Sequence, residues 1–429
     1  MNRRSLLGGS VAVVAGLART RRANAENAIA ITNARIHRGD GTRIDAGTVV
    51  FQGDTISAIG PAASVVLPEA AHVVDGSGHW LTPGLVDAES LVGLVDIFGE
   101  RATRESAMDE RRDPIRAAFS VLDGWNPRSV VIPVTRVEGV TSVALAPREG
   151  LVSGRGAMVR LTGDRADKAA LKTPTAVYIS LAQDGRHAGF DSRGGALLAL
   201  RELFDDVRQF AKRRNEFERN EMRALSASRL DLEALIPVVE GKLPVVIEAH
   251  RASDIESALS FIVEQRVSAV LSGCEEGWLV KDAIAQSKVP VIVNAFANLP
   301  RDFDALSAHA ENAARLHGAG VEVILATREI GDHESRTLRF QAGNAVASGL
   351  PWETALSAIT ARPAKLFGVA DRIGTLGVGK LADCVLWSGD PFEPLTRPRH
   401  VFMGGAEIPR VSRQTMLRDR YREPKTLRR

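Results

Sequence analysis

For metal binding or acid–base work this chain of 429 residues has 52 carboxylates, 9 histidines and 2 cysteines. Cys274 and Cys384 are the only thiols and stand far apart in sequence, which excludes a disulfide framework and a Cys-rich zinc site. Chemistry must then come from carboxylates and imidazoles. His250 closes the run Ile247-Glu248-Ala249-His250, and Glu89 lies in Asp87-Ala88-Glu89-Ser90-Leu91. Arg328 closes Leu325-Ala326-Thr327-Arg328, and a guanidinium there stays protonated and repels a cation. His333, in Gly331-Asp332-His333-Glu334-Ser335, reads as a solvated loop residue; His37, His72, His79 and His400 read as structural or surface residues.

The elements that must position these groups fall into two kinds. Residues 28–80 read as short strands: Ile29-Ala30-Ile31, Gly47-Thr48-Val49-Val50-Phe51 and Thr55-Ile56-Ser57-Ala58-Ile59, punctuated by Gly53-Asp54 and Gly60-Pro61. Ala382-Asp383-Cys384-Val385-Leu386-Trp387 and Arg399-His400-Val401-Phe402-Met403 add strands near the far end. Between them, near-continuous apolar runs alternate with helix-like stretches. The runs are Leu243–Ile247, Val267–Leu271, Val289–Val293 and Val321–Leu325; the helices are 252–265 and 277–286. That alternation predicts parallel strands buried on both faces, and so many β-α units favour a closed eight-fold barrel over an open sheet. Residues 202–233, rich in Arg and Glu, read as solvated helix.

A formal charge of +3 would suit nucleic acid only if concentrated on a body with stacking aromatics, and it is not. Arg3, Arg4, Arg19, Arg21 and Arg22 lie in the first 25 residues without an acid, and further excess sits at the other end, from Arg410 to Arg429. The opening Asn2-Arg3-Arg4-Ser5-Leu6-Leu7, an apolar run to Leu17 and Ala23-Asn24-Ala25 have the three parts of a cleavable export signal, of twin-arginine type. That run is too short for a permanent membrane span, which needs roughly 20 residues. The mature protein is expected in the periplasm or outside the cell.

Two ordered motifs carry a family resemblance. Val74-Asp75-Gly76-Ser77-Gly78-His79-Trp80-Leu81-Thr82-Pro83-Gly84-Leu85-Val86-Asp87 resembles the entry into the first barrel strand of the amidohydrolase superfamily. Thr360-Ala361-Arg362-Pro363-Ala364-Lys365-Leu366-Phe367-Gly368, followed by Ile373–Asp383, resembles that family's last helix and return. The likeness is greatest to the imidazolonepropionase-like branch, over 245–285. It implies a TIM (β/α)8 barrel over 84–371 and a composite β-sandwich domain from 26–83 and 372–410. A signal at 1–25 and a basic tail at 411–429 complete the layout. Homo-oligomers are usual in such a family.

The resemblance also implies a metal site that this sequence mostly lacks. An HxH pair after the first strand is replaced by Glu89 and Leu91, and the fourth strand, Ala176–Leu181, offers no lysine. His250 matches the fifth-strand histidine. Ser272 stands near the sixth-strand histidine, and Arg328 takes the place of the eighth-strand aspartate. Glu89 and His250 would give two ligands where a catalytic zinc normally wants three, with Glu248, Glu275, Glu276, Glu329, Asp332 and His333 as possible third ligands. Alternatively, Glu89 and Arg328 form an ion pair across the barrel mouth in place of the metal. The expected function follows that choice. One reading is an exported barrel with no cofactor, non-catalytic or weakly active, that binds a small molecule or peptide. The other is a hydrolase of C–N bonds in cyclic amides or small peptides, using one divalent metal such as zinc, or a metal-free route, through Glu89 and His250. A third is a partner of an active homologue, with the basic tail as contact.

Overall fold

The computed structural model describes residues 28–107, 113–162, 165–182, 190–328 and 334–422. The export signal, Glu329, Asp332 and His333, and the end of the basic tail lie outside the described residues. The chain divides into two compact units, one of the chain up to Gly84 with Asp371–Pro409, the other of Leu85–Ala370 with the chain from Arg410.

The first unit is built on alternation. Its strands are β1 (Ala28–His37), β2 (Arg43–Gln52), β3 (Thr55–Pro61), β4 (His72–Asp75) and β5 (Trp80–Pro83), then β16 (Cys384–Trp387), β17 (Pro398–Met403) and β18 (Ala406–Glu407). Ile31, Ile36, Val49, Phe51, Ile56, Leu81, Leu386 and Phe402 point inward from them into one apolar core. The expected β-sandwich is instead one continuous eight-stranded sheet, in the order β18-β17-β16-β5-β1-β2-β3 with β4 also on β1. β1 is long enough to hold β4 along one half and β5 along the other, so hydrogen bonding never breaks. The sheet closes over its core by curling: the rings of Phe51 and Phe402, from strands distant in the hydrogen-bonding order, pack edge-on at 5.3 Å.

The second unit is an α/β structure. Five parallel strands, β11 (Val177–Ser180), β12 (Val245–Ala249), β13 (Ala269–Gly273), β14 (Val291–Val293) and β15 (Val323–Leu325), run side by side. β6 (Leu85–Ser90) pairs in parallel with β7 (Val140–Leu145). Between these groups the expected all-parallel order fails. β8 (Val152–Arg155) is antiparallel to β11 and β9 (Ala157–Arg160) antiparallel to β7, with the short β10 (Ala170–Lys172) on the outside. The reason is chain length: residues 146–151 are too few for the helical crossover a parallel neighbour requires, so the chain reverses, with left-handed backbone at Glu149 and Gly150. The helix Ala252–Gln265 packs on β12 and ends where Arg266 turns left-handed at φ 55°.

Within residues 202–233, Arg214–Glu218 is a helix that buries none of its residues, as expected, but its neighbours differ from the solvated helix expected. Arg193–Lys212 and Arg229–Val239 are separate helices, and the first buries Leu200, Leu203, Phe204, Val207 and Phe210 at helical spacing against the rest of the unit. Its Arg and Glu side chains occupy the opposite face, which is why composition alone read as solvated. Part of the basic tail is also helical: Arg413–Tyr421 starts on a capping box between Ser412 and Thr415 and buries none of its residues. No helix among the described residues is long and apolar enough to cross a membrane. Truncating Phe204, which packs edge-on to Phe261 at 5.3 Å, to alanine should cost about 3–5 kcal/mol in chemical denaturation. Val263→Ala, on an exposed face of the neighbouring helix, should stay within about 0.5 kcal/mol.

Candidate functional site

The chemically capable residues gather at the C-terminal ends of β6, β12, β13 and β15, because side chains two apart on a strand share a face. Asp87 and Glu89 point together from β6, Glu248 and His250 from the end of β12. Ser272 and Glu275 follow from β13, and Thr327 and Arg328 from the residues after β15.

Arg328 lies at the centre. Its Nε donates to Glu89 Oε2 at 2.8 Å, its Nη2 to Glu248 Oε1, and its Nη1 reaches Glu275 Oε1 at 3.5 Å. The Arg328 side chain is only 6% exposed. His250 bridges two of the same acids, Nδ1 to Glu275 and Nε2 to Glu248 Oε1 at 3.4 Å. Two hydroxyls complete the shell: Ser272 donates to Glu89 Oε2 and Ser180 to Glu248 Oε2, each at 2.8 Å.

The backbone accommodates this crowd at two points. Arg328 itself adopts φ 46°, a left-handed conformation costly for a residue with Cβ, and it is held there by its neighbour. Thr327 donates through both N and Oγ1 to Asp87, whose Oδ2 also accepts from Ser335 at 2.6 Å. Burial pushes the Asp87 carboxyl up to about 6 despite those bonds. Gly273 has φ 89°, and a Cβ there would stand 2.5 Å from His250 Nδ1 and 3.1 Å from Arg328 Nη1. Only glycine lets the imidazole and guanidinium approach.

The charges are mutually stabilised. Burial works to lower the His250 pKa, but Glu275 and Glu248 outweigh it and hold the imidazolium up to about 9. Burial works to raise Glu275, yet His250 and then Arg328 pull it down to about 2. Glu248 is drawn well below the carboxylate range: its burial is overridden by His250 and Arg328. Burial opposes the Arg328 charge and the three acids more than restore it.

These residues do not fit a divalent metal. A histidine ligand must be neutral with a free nitrogen, whereas both ring nitrogens of His250 face carboxylates. The carboxylates that could serve face a fixed guanidinium, and Leu91 has no donor. Glu276, considered as a third ligand, caps backbone N–H groups of Ala252 and Ser307 instead. Among the described residues no group of three or more His, Cys, Asp or Glu is arranged to hold a metal.

The structure thus brings Glu89, His250 and Arg328 together, with Glu248 and Glu275 as their partners. A cavity of about 450 Å³ opens onto this cluster, walled by His250, Arg328 and Glu248 together with Leu91, Phe98, Arg104 and Arg301. Arg148 also lines it. Sequence reasoning missed Arg148, in the aperiodic turn after β7, because no spacing connects it to the other strand ends.

Two outcomes test the network. Arg328→Met should lose about 3–5 kcal/mol of stability, measured by denaturant unfolding, because three carboxylates would then share a buried site without their central cation. The Glu275–His250 coupling should also depend on pH. Glu275, lowered from its ordinary 4.5, gives stability that is lost as pH falls through about 2. His250, raised from 6.5, gives stability that is lost as pH rises through about 9. A double-mutant cycle with Glu275→Gln and His250→Gln should show full coupling near about pH 5.5 and little at about pH 10.

Comparison with known proteins agrees with this architecture. The family model described as "Amidohydrolase family" matches residues 256–412. The chain is 23% identical over 377 residues to amidohydrolase tasK of Hapsidospora irregularis, covering 80% of this chain but 38% of that protein. It is 24% identical over 387 residues to the imidazolonepropionase of Pseudomonas putida (strain GB-1), covering 82% of this chain and 90% of the relative. The crystal structure of an amidohydrolase from Thermotoga maritima MSB8 superposes with a TM-score of 0.80 at 26% identity, over 89% of this chain and all of that one.

Proposed function

This chain is a member of the amidohydrolase superfamily, and from that premise we propose that it is an exported member in which a salt-bridge cluster stands in for the catalytic metal and the pocket binds a small ligand. The observation that carries the reading is the guanidinium of Arg328 set among Glu89, Glu248 and Glu275. A metal centre needs an open coordination position for water. Here the same strand ends converge on a planar cation, each of whose three nitrogens faces a protein carboxylate.

The α/β unit is read as the family's eight-fold barrel with its third strand reversed, β8 and β9 filling one position between β7 and β11. Closure is supported by Thr327, just after β15, donating to Asp87 of β6. The sheet unit corresponds to the composite β-domain. Export rests on the paired arginines, short apolar run and Ala23-Asn24-Ala25 of the leader.

Elemental analysis of the purified mature protein tests the reading. The expected result is far less than one zinc, manganese or iron per chain, with a melting temperature indifferent to chelators. About one metal per chain, lost on Glu89→Ala, would overturn it in favour of a metal-dependent hydrolase of C–N bonds.

A further inference from the structure

Beside the Arg328 cluster lies a smaller cavity of about 70 Å³, walled by Glu89, Arg148, Glu149, Tyr178, Ser180 and Glu248. It shares Arg148, Glu149 and Glu248 with the larger cavity of about 450 Å³, so the two meet along those residues. Most polar groups here are engaged: Ser180 donates to Glu248, and Glu89 and Glu248 accept from Arg328. Two donors are not. Nε and Nη2 of Arg148 are buried without a hydrogen-bond partner among the described residues, and so is the hydroxyl of Tyr178. The Tyr178 residue is 5% exposed, and its ring is admitted by Gly156, where a Cβ would stand 2.6 Å from Tyr178 Cε2.

An uncompensated buried guanidinium edge and phenol are costly, and native proteins seldom leave them so. Nε and Nη2 form one edge of the guanidinium, two parallel N–H donors spaced to meet both oxygens of a carboxylate. We infer that Arg148 and Tyr178 form a binding site for the carboxylate of a small organic acid, whose remaining part occupies the larger cavity beside His250 and Arg328. The inference rests on the reading of this pocket as a ligand site and names the class of ligand it takes.

Three features select this class. The smaller cavity holds more than one water's volume and is about right for a carboxylate, while the larger one is of ordinary small-ligand size. Glu89, Glu149 and Glu248 wall the smaller cavity, so a ligand with one negative charge is tolerated better than a phosphoryl dianion set against the same acids. Arg148 is also the cation of this group that makes no ion pair with a described carboxylate, so it is the one able to give its charge to a ligand.

The test uses the mature full chain with defined probes: acetate, butyrate and phenylacetate, their primary amides, and inorganic phosphate. Thermal-shift titration and ligand-observed NMR report binding. The expected result is concentration-dependent stabilisation by the carboxylates, greater for butyrate and phenylacetate than for acetate, and none by the amides. Arg148→Met should weaken carboxylate binding about tenfold to a hundredfold, the loss of a charge-assisted pair. Arg148→Lys, which keeps the charge without the fork, should lose most of the affinity, and Tyr178→Phe a smaller part. The unliganded Arg148→Met protein should still unfold cooperatively, because no hydrogen bond from this side chain to a described residue is removed. Amides binding as well as acids, or acids binding equally to Arg148→Met, would overturn the carboxylate site while leaving a ligand pocket. Preference for phosphate would overturn the carboxylate assignment. Failure of every probe to bind would defeat both the site and the ligand-pocket reading.

Discussion

The position of the Arg328 guanidinium among Glu89, Glu248 and Glu275 governs the rest of the α/β unit's mouth. Three carboxylates drawn into one buried site repel each other unless a cation separates them. A planar guanidinium does so with a different nitrogen toward each acid, a geometry that a lysine ammonium lacks. His250 contributes the second positive charge through Glu248 and Glu275. One side chain from after β15 therefore ties the ends of β6, β12 and β13. Desolvating so many charges makes such a cluster weak evidence for net stability, yet removing one member leaves its partners uncompensated. The constraint is strict in that sense.

Other residues fit themselves to that centre. Thr327, just before Arg328, is fixed on Asp87 through two hydrogen bonds, and this anchorage sustains the left-handed backbone at Arg328. Ser335 reaches the same carboxylate and also Ser90 Oγ at 2.9 Å, which holds the residues around Ser335 against β6. Gly273 leaves room where any side chain would strike the imidazole. Each is a local irregularity that makes sense only in relation to the charged cluster.

How far all this could be read from the sequence depends on whether the cause was local. The apolar runs of β12 to β15 and the helix Ala252–Gln265 were legible, because burial on both faces and helical spacing leave patterns within a dozen residues. The entry and return motifs carried the resemblance to the amidohydrolase superfamily, and the types at 89 and 328 pointed to their ion pair, since an arginine and a glutamate at positions expected to hold ligands imply each other; the parts of His250, Glu248 and Glu275 in it were not read. The reversed β8 and β9 were not legible. Their direction follows from the shortness of residues 146–151, a matter of chain length against crossover geometry. Nor was the buried face of Arg193–Lys212, whose apolar positions are hidden among arginines and glutamates. Arg148 and Tyr178 meet only because β8 reverses, so no feature of either segment alone announces them.

A metal and a guanidinium can stand at the same strand ends because both are cations that ask several donors or acceptors to converge. They differ in what they leave over. A metal held by three protein ligands keeps a position for water or substrate, and its charge polarises whatever enters. A guanidinium bonded to Glu89, Glu248 and Glu275 turns three of its nitrogens toward protein acids and has no coordination position to offer a reacting water. Recognition in this pocket must then come from groups beside the cluster rather than from its centre. The reversed third strand supplies them: the turn that shortens the connection after β7 carries Arg148, and Gly156 between β8 and β9 makes room for Tyr178. The strand arrangement that departs from the all-parallel pattern is thus the same one that sets an uncommitted cation against the cavity.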